Sequence, residues 1–287
     1  MYTLRGVLAA VFMALSSALW CTLLYLIGIV RFAFKKGSKP HLAVGNLMER
    51  AVDGWVGSNK RLIWALRIAD IETPALLDEL GRNRWYVVVC NHQSWTDIIV
   101  LQNTFLQSAP PLKFFTKKEL IYVPFVGLAM WFLGFPYVAR YSRERLDAEP
   151  HLRDVDRKAT LDACNGFLER PTTVLSFLEG TRFTREKHAA QESPYNHLLS
   201  PKSGGLGYVA DALSDHLDGI IDVTIHYPDG VPSFWDFLCG RCRQIQVAAQ
   251  LRAAPPSDRE QLKTWVNEVW QAKDADLAVL KAASPGA

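Results

Sequence analysis

Residues 85–97 read Trp-Tyr-Val-Val-Val-Cys-Asn-His-Gln-Ser-Trp-Thr-Asp (WYVVVCNHQSWTD). Trp85–Cys90 is a short, unbroken, valine-rich apolar run, the pattern of a strand buried on both faces. Polar Asn91–Ser94 opens a turn, and Ile98–Leu106 continues as a helix. Further strand candidates are Lys113–Thr116, Tyr137–Arg140, Thr172–Leu178, Ile220–Tyr227 and Gln244–Leu251. Helical patterns cover Leu152–Glu169, about 203–216 and Asp258–Lys281. Strands alternating with helices predict an α/β fold of αβα layers around a mostly parallel central sheet.

The 287 residues are 49% hydrophobic and 21% charged, enough apolar material for a sizeable core. A net charge of +3 is too mild to argue for a nucleic-acid partner. Cys21, Cys90, Cys164, Cys239 and Cys242 are odd in number and lack a disulfide-scaffold spacing, so they read as reduced thiols of a cytosolic domain.

From Gly6 to Val30 no residue is charged. As a helix this run spans about 37 Å at about 1.5 Å per residue, more than the ~30 Å hydrocarbon core. Arg31, Lys35, Lys36 and Lys39 follow it, not a small-residue cleavage site, so it reads as a retained anchor with that flank cytoplasmic. Residues 45–68 carry an amphipathic helical pattern suited to a domain surface or a membrane interface. The expected organisation is an anchor over 1–40 (helix about 7–30), an interfacial helical linker over 41–84 and one domain over 85–287. A second uncharged run, Leu120–Val138, is interrupted by Pro124, Gly127, Gly134 and Pro136. It predicts a short helix, half-buried at the membrane surface or lining an acyl tunnel.

His92 and Asp97 follow the buried strand. An imidazole can take a proton while a carboxylate fixes its tautomer and stabilises the cation. Residues five apart diverge by about 140° on one helix, so His92 must precede the helix and Asp97 must fold back from its first turn. Ser94 is then the expected N-cap, with Asp97 at the third helical position. The spacing alone is common, and His151 with Asp156 repeats it in a charged stretch (HLRDVDRK) that reads as a solvated helix face. Only His92 lies where a buried strand ends, the usual ligand edge of an open α/β sheet. Downstream, the strand over 172–178 runs into Glu179-Gly180-Thr181-Arg182. There a glycine permits close backbone approach and an arginine offers a planar fork to phosphate.

These residues resemble the lysophosphatidate and glycerol-3-phosphate acyltransferase (PlsC-like) family. Asn91, His92, Ser94 and Asp97 match its N-H-x-S-x-x-D block, and Glu179–Arg182 its E-G-T-R block. Gly134 with Arg140, and Lys117-Lys118-Glu119-Leu120, fit two more, so four blocks fall in order over residues 85–230. NHQSWTD, FLEGTRFTREK and LLSPKSGG look closest to the YihG-type bacterial inner-membrane acyltransferases and the lysocardiolipin branch. Departures are Leu178 in place of a proline, Ala139 in place of a frequent aspartate, and a poorly matching fourth block, Val223–Pro228.

The resemblance implies acyl transfer from acyl-CoA or acyl-ACP to a lysophospholipid hydroxyl, with 1-acylglycerol-3-phosphate as first acceptor and lysocardiolipin as the alternative. His92 would be the base and Asp97 its orienter. Arg182, with Thr181, Gly180 and Arg140, would hold the acceptor phosphate; Lys117 or Lys118 would assist there or at the oxyanion, and Glu179 would position Arg182. Neither metal nor cofactor is implied, and the setting is an inner membrane crossed once, with the domain cytoplasmic. Two other classes compete: a thiol redox protein using Cys239 and Cys242, and an inactive membrane adaptor.

Overall fold

A computed structural model describes residues 2–138, 149, 158, 161, 162 and 164–283. Arg140, His151 and Asp156 lie outside the described residues. Two helices open the chain, α1 (Tyr2–Arg31) and α2 (Lys39–Ala65), followed by β1 (Asp70–Ile71), β2 (Trp85–Cys90) and α3 (Thr96–Phe105). Then come β3 (Leu112–Phe114), β4 (Thr116–Lys117), α4 (Val126–Phe132), β5 (Tyr137–Val138) and β6 (Thr173–Phe177). The remainder is α5 (Arg185–Ala190), α6 (Gly204–Leu213), β7 (Leu217–His226), α7 (Phe234–Cys239), β8 (Gln244–Arg252) and α8 (Arg259–Ala282). Within the stretch expected to be helical over 152–169, residues 158, 161–162 and 164–167 are helical.

Six strands form the central sheet in the order β1-β8-β7-β2-β6-β3. β2 lies between β6 and β7, parallel to both, and β3 is parallel to β6. β8 runs antiparallel to β7. The αβα layering is thus present with a mostly parallel sheet, and β2 alternates between two cores. Tyr86, Val88 and Cys90 join Leu62 and Ile63 of α2 and Val100 and Leu101 of α3. Val87 and Val89 join Leu206 of α6 and Val266 and Trp270 of α8 on the other face. Full burial of each such side chain contributes about 1.5–3 kcal/mol, which is why the run holds no polar residue.

Residues 41–84 enter the same structure: β1 pairs with β8, and Ile68 and Leu77 are buried in the core. α2 starts earlier than the amphipathic pattern suggests. Ser38 caps it by accepting the His41 N–H, and Pro40 fits the first turn, where its missing N–H costs nothing.

α1 packs mainly alongside α2, and also against α4 and α7. Its buried residues Gly6, Ala9, Ser16, Cys21, Leu24 and Gly28 are small or apolar and three to seven apart. Gly6 lies against Cys239 and Trp235 of α7, and Gly28 against Phe132 of α4. Two indoles tie α1 and α2 reciprocally, Trp20 donating to Ser58 Oγ and Trp55 to Ser17 Oγ, each at 3.1 Å. Its other face exposes Leu4, Leu8, Val11, Leu15, Leu19, Leu23, Leu26 and Val30. By length and composition α1 could cross a membrane.

The 120–138 run is broken, as its prolines and glycines predict. A 3-10 turn (Lys118–Tyr122) precedes α4, whose Gly127 sits so close to the Ile121 and Leu120 carbonyls that a Cβ would collide with them. Phe132 of α4 rests on Gly28 of α1, while Tyr122, Phe125, Leu128 and Trp131 stay exposed.

Candidate active site

The C-terminal edge of the sheet assembles the site. Asn91, at the end of β2, donates its amide to Ile225 O and accepts the Ile225 N–H, both at 2.9 Å, locking the ends of β2 and β7 together. Gln93 adds a side-chain bond to the same carbonyl at 2.8 Å. The chain then turns at His92–Trp95 before α3.

Asp97 folds back as the five-residue spacing requires. Its Oδ2 lies 2.8 Å from His92 Nδ1 and also accepts the Gln93 and Ser94 N–H groups at 2.6 and 2.9 Å. Its Oδ1 accepts the Tyr227 hydroxyl at 2.5 Å. The carboxylate is fully buried, and the His92 side chain is 14% exposed. Such a site is tolerable for a charge only because donors reach both oxygens. The Phe177 ring stacks on the imidazole at 3.9 Å, fixing its plane. With Nδ1 committed to Asp97, Nε2 is the nitrogen left for the cavity that His92 lines.

Ser94 lies one residue before the cap position, yet its hydroxyl accepts the Thr96 N–H at 3.2 Å as an N-cap does. α3 begins at Thr96 with Trp95 in the cap position, so Asp97 is its second residue. The Ser94 N–H goes to Asp97 and its hydroxyl donates to Pro232 O at 2.7 Å, so this serine braces the turn against the 232 loop.

Glu179 is corrected too. Expected to position Arg182, it is fully buried, and its Oε1 and Oε2 accept the backbone N–H groups of His92 and Leu199 at 2.8 and 3.0 Å. It therefore staples the His92 turn to the end of β6 and the 199 segment. Burial pushes its carboxyl up to about 7, against the downward pull of those two bonds. A carboxyl raised this way contributes stability fully below its ordinary value of 4.5, and loses it as pH rises through about 7. Glu179→Gln would set an amide NH₂ against one of the two N–H donors. Its expected cost is about 1–3 kcal/mol. In thermal melts the variant's deficit should narrow between pH 4.5 and about 7, because only the wild type titrates there.

Gly180 takes φ +70°, the left-handed region glycine tolerates, and turns the chain so that Phe183 N–H reaches His92 O at 2.7 Å. Thr181 and Arg182 thereby face the same cavity as His92. The Arg182 guanidinium lies over the Trp95 ring at 4.7 Å. Lys187 donates to Thr181 Oγ1 at 2.7 Å and to Arg182 O at 3.0 Å, steadying that loop.

The cavity holds about 450 Å³. Its lining combines polar and cationic side chains (His92, Thr181, Arg182, Lys117 and Lys202) with apolar ones (Ile98, Phe114, Phe115 and Leu120). Sequence reasoning missed Trp95, Phe177, Lys202 and Tyr227. All four stood inside noted segments (NHQSWTD, FLEGTRFTREK, LLSPKSGG and Val223–Pro228), but no spacing signal tied Phe177 or Tyr227 to the His92–Asp97 pair.

The C-x-x-C pair is packed away. Cys239 and Cys242 are buried and unbridged, Cys239 lies against Gly6 of α1, and burial pushes the Cys242 thiol up to about 12. A reactive thiol requires the opposite environment.

The chain belongs to the Acyltransferase family, whose pattern matches residues 75–227, more than half its length and the whole of this site. Among its relatives, mouse 1-acyl-sn-glycerol-3-phosphate acyltransferase epsilon is 25% identical over 224 residues, covering 69% of this chain and 59% of that protein. Mouse lysocardiolipin acyltransferase 1 is 26% identical over 209 residues, covering 67% and 53%. The chain thus spans little more than half the length of these relatives. The crystal structure of the 1-acyl-sn-glycerophosphate (LPA) acyltransferase PlsC from Thermotoga maritima shares the fold. Its TM-score is 0.61 at 16% identity, over 97% of this chain and 98% of that one.

Proposed function

We propose that this protein transfers a fatty acyl group from acyl-CoA or acyl-ACP to the free hydroxyl of a lysophospholipid, 1-acylglycerol-3-phosphate first among them, giving phosphatidate. The observation that carries this is the 2.8 Å His92–Asp97 pair opening on a cavity lined by both cationic and apolar side chains.

Asp97 holds the Nδ1–H, so Nε2 is free to take the acceptor hydroxyl's proton as the oxygen attacks the thioester carbonyl. A C–O bond forms, the C–S bond breaks, and His92 returns the proton to the leaving thiolate. No enzyme nucleophile is needed, because the acceptor oxygen itself attacks. Arg182, with Thr181, Lys117 and Arg140, binds the acceptor phosphate; Phe114, Phe115 and Leu120 receive acyl carbons. The relatives named for 1-acyl-sn-glycerol-3-phosphate and for lysocardiolipin support both acceptors. Incubating the purified chain with a labelled acyl thioester and lysophosphatidate, lysocardiolipin and glycerol-3-phosphate tests the choice. Fastest labelling of lysophosphatidate is expected, and a preference for lysocardiolipin would reassign the acceptor.

The apolar face of α1 supports membrane association, with residues 1–40 as the anchor. The basic flank supports a single pass through an inner membrane with Arg31 onward cytoplasmic. A specific observation favours a second placement, half-immersed in one leaflet: both ends of α1 meet the domain. Arg5 donates to Arg67 O at 3.3 Å and Arg31 pairs with Glu169 at 3.4 Å. A cysteine placed at Thr3 should react with a membrane-impermeant thiol reagent from the side opposite the domain if α1 spans, and from the domain's own side if it does not.

A further inference from the structure

We infer that Tyr227 is a positioning residue for acyl transfer, acting on the reacting histidine through Asp97; the inference rests on the His92 base reading. Tyr227 follows β7, two residues past Ile225, whose peptide Asn91 and Gln93 clamp to the β2 edge with three hydrogen bonds. This clamp fixes where the phenol arrives. Its hydroxyl meets Asp97 Oδ1 at 2.5 Å, with the tyrosine 3% exposed and the aspartate 0%.

The division of labour on the carboxylate is what gives the phenol a role. Oδ2 serves three donors: the imidazole Nδ1 and the N–H groups of Gln93 and Ser94. Oδ1 has the Tyr227 hydroxyl. Without it, a buried anionic oxygen would face the side of β7 with no donor, and the carboxylate would turn or take up a proton to relieve that cost. Turning moves Oδ2 away from the imidazole and protonation removes its charge, and either weakens support of the cation formed during proton transfer. Burial and the neighbouring carboxylate push the phenol's own titration well above its ordinary range, so it stays a donor at working pH.

The hydroxyl does not line the cavity, so its removal should act on turnover and not on acceptor binding. In Tyr227→Phe, kcat should fall roughly tenfold with the acceptor KM unchanged, a modest share of the general-base contribution. In an Asp97→Asn background the same substitution should change kcat by less than about twofold, because the group it acts through has already lost its charge. Melting curves on all variants report folding. A Tyr227→Phe protein that is folded and fully active, while His92→Ala and Asp97→Asn are inactive, overturns the inference and leaves the base reading intact. An equal loss from Tyr227→Phe with and without Asp97 overturns it also, since that marks a structural role alone. Retained activity in His92→Ala instead removes the base reading, and this inference with it.

Discussion

His92→Ala is expected to lower turnover by about 10²–10⁴, the range that general-base catalysis supplies. The geometry makes the loss specific: the imidazole plane is set by the Phe177 stack and its tautomer by Asp97. Asp97→Asn keeps the size but loses the charge that supports the imidazolium. It should therefore fall steeply, and the double variant should be little worse than His92→Ala, since the two act as one unit. His151→Ala and Asp156→Asn are the control, a pair with the same spacing in a charged stretch. Steady-state rates near wild type are expected for both. Clean multiplication of the losses at 92 and 97 would mean the residues work independently, and an inactive His151→Ala would move the base elsewhere.

Arg182→Ala should produce the second large effect, roughly 10- to 100-fold in kcat/KM for a phosphate-bearing acceptor, the equivalent of about one hydrogen bond to a charged group. Arg182→Lys should recover only part, because a point charge can neither form two parallel bonds nor reproduce the guanidinium held over the Trp95 ring at 4.7 Å. Arg140→Ala should be milder. Kinetics against acceptors with and without the phosphate would read this directly. An Arg182→Ala enzyme with unchanged acceptor kinetics would take the phosphate away from this residue.

What the sequence made legible follows from range. WYVVVC needed no partner to be read, because a run without polar positions has few places to go but a doubly covered sheet. The His92–Asp97 fold-back was likewise a local constraint of helix geometry. Glu179 was misread because its partners, the N–H groups of His92 and Leu199, converge only after β6 and β2 pair. Tyr227 reaches Asp97 from 130 residues away through the β2–β7 register, which spacing cannot express. Ser94 does more than cap: its oxygen accepts the Thr96 N–H, while its own N–H and O–H go to Asp97 and Pro232 O and tie the turn to the 232 loop. The uncharged run of α1 reads as an anchor, and the packing of its small residues against α4 and α7 is not legible because those partners lie far along the chain.

The central claim is the transfer itself. Purified chain in lipid vesicles should be given an acyl thioester labelled in the acyl group, together with 1-acylglycerol-3-phosphate, and the products separated by chain type. Label should appear in phosphatidate at a rate that rises with acceptor concentration, with thiol released in equal amount. Thiol release with the label recovered only as free fatty acid, or no release at all from the folded protein, would contradict it.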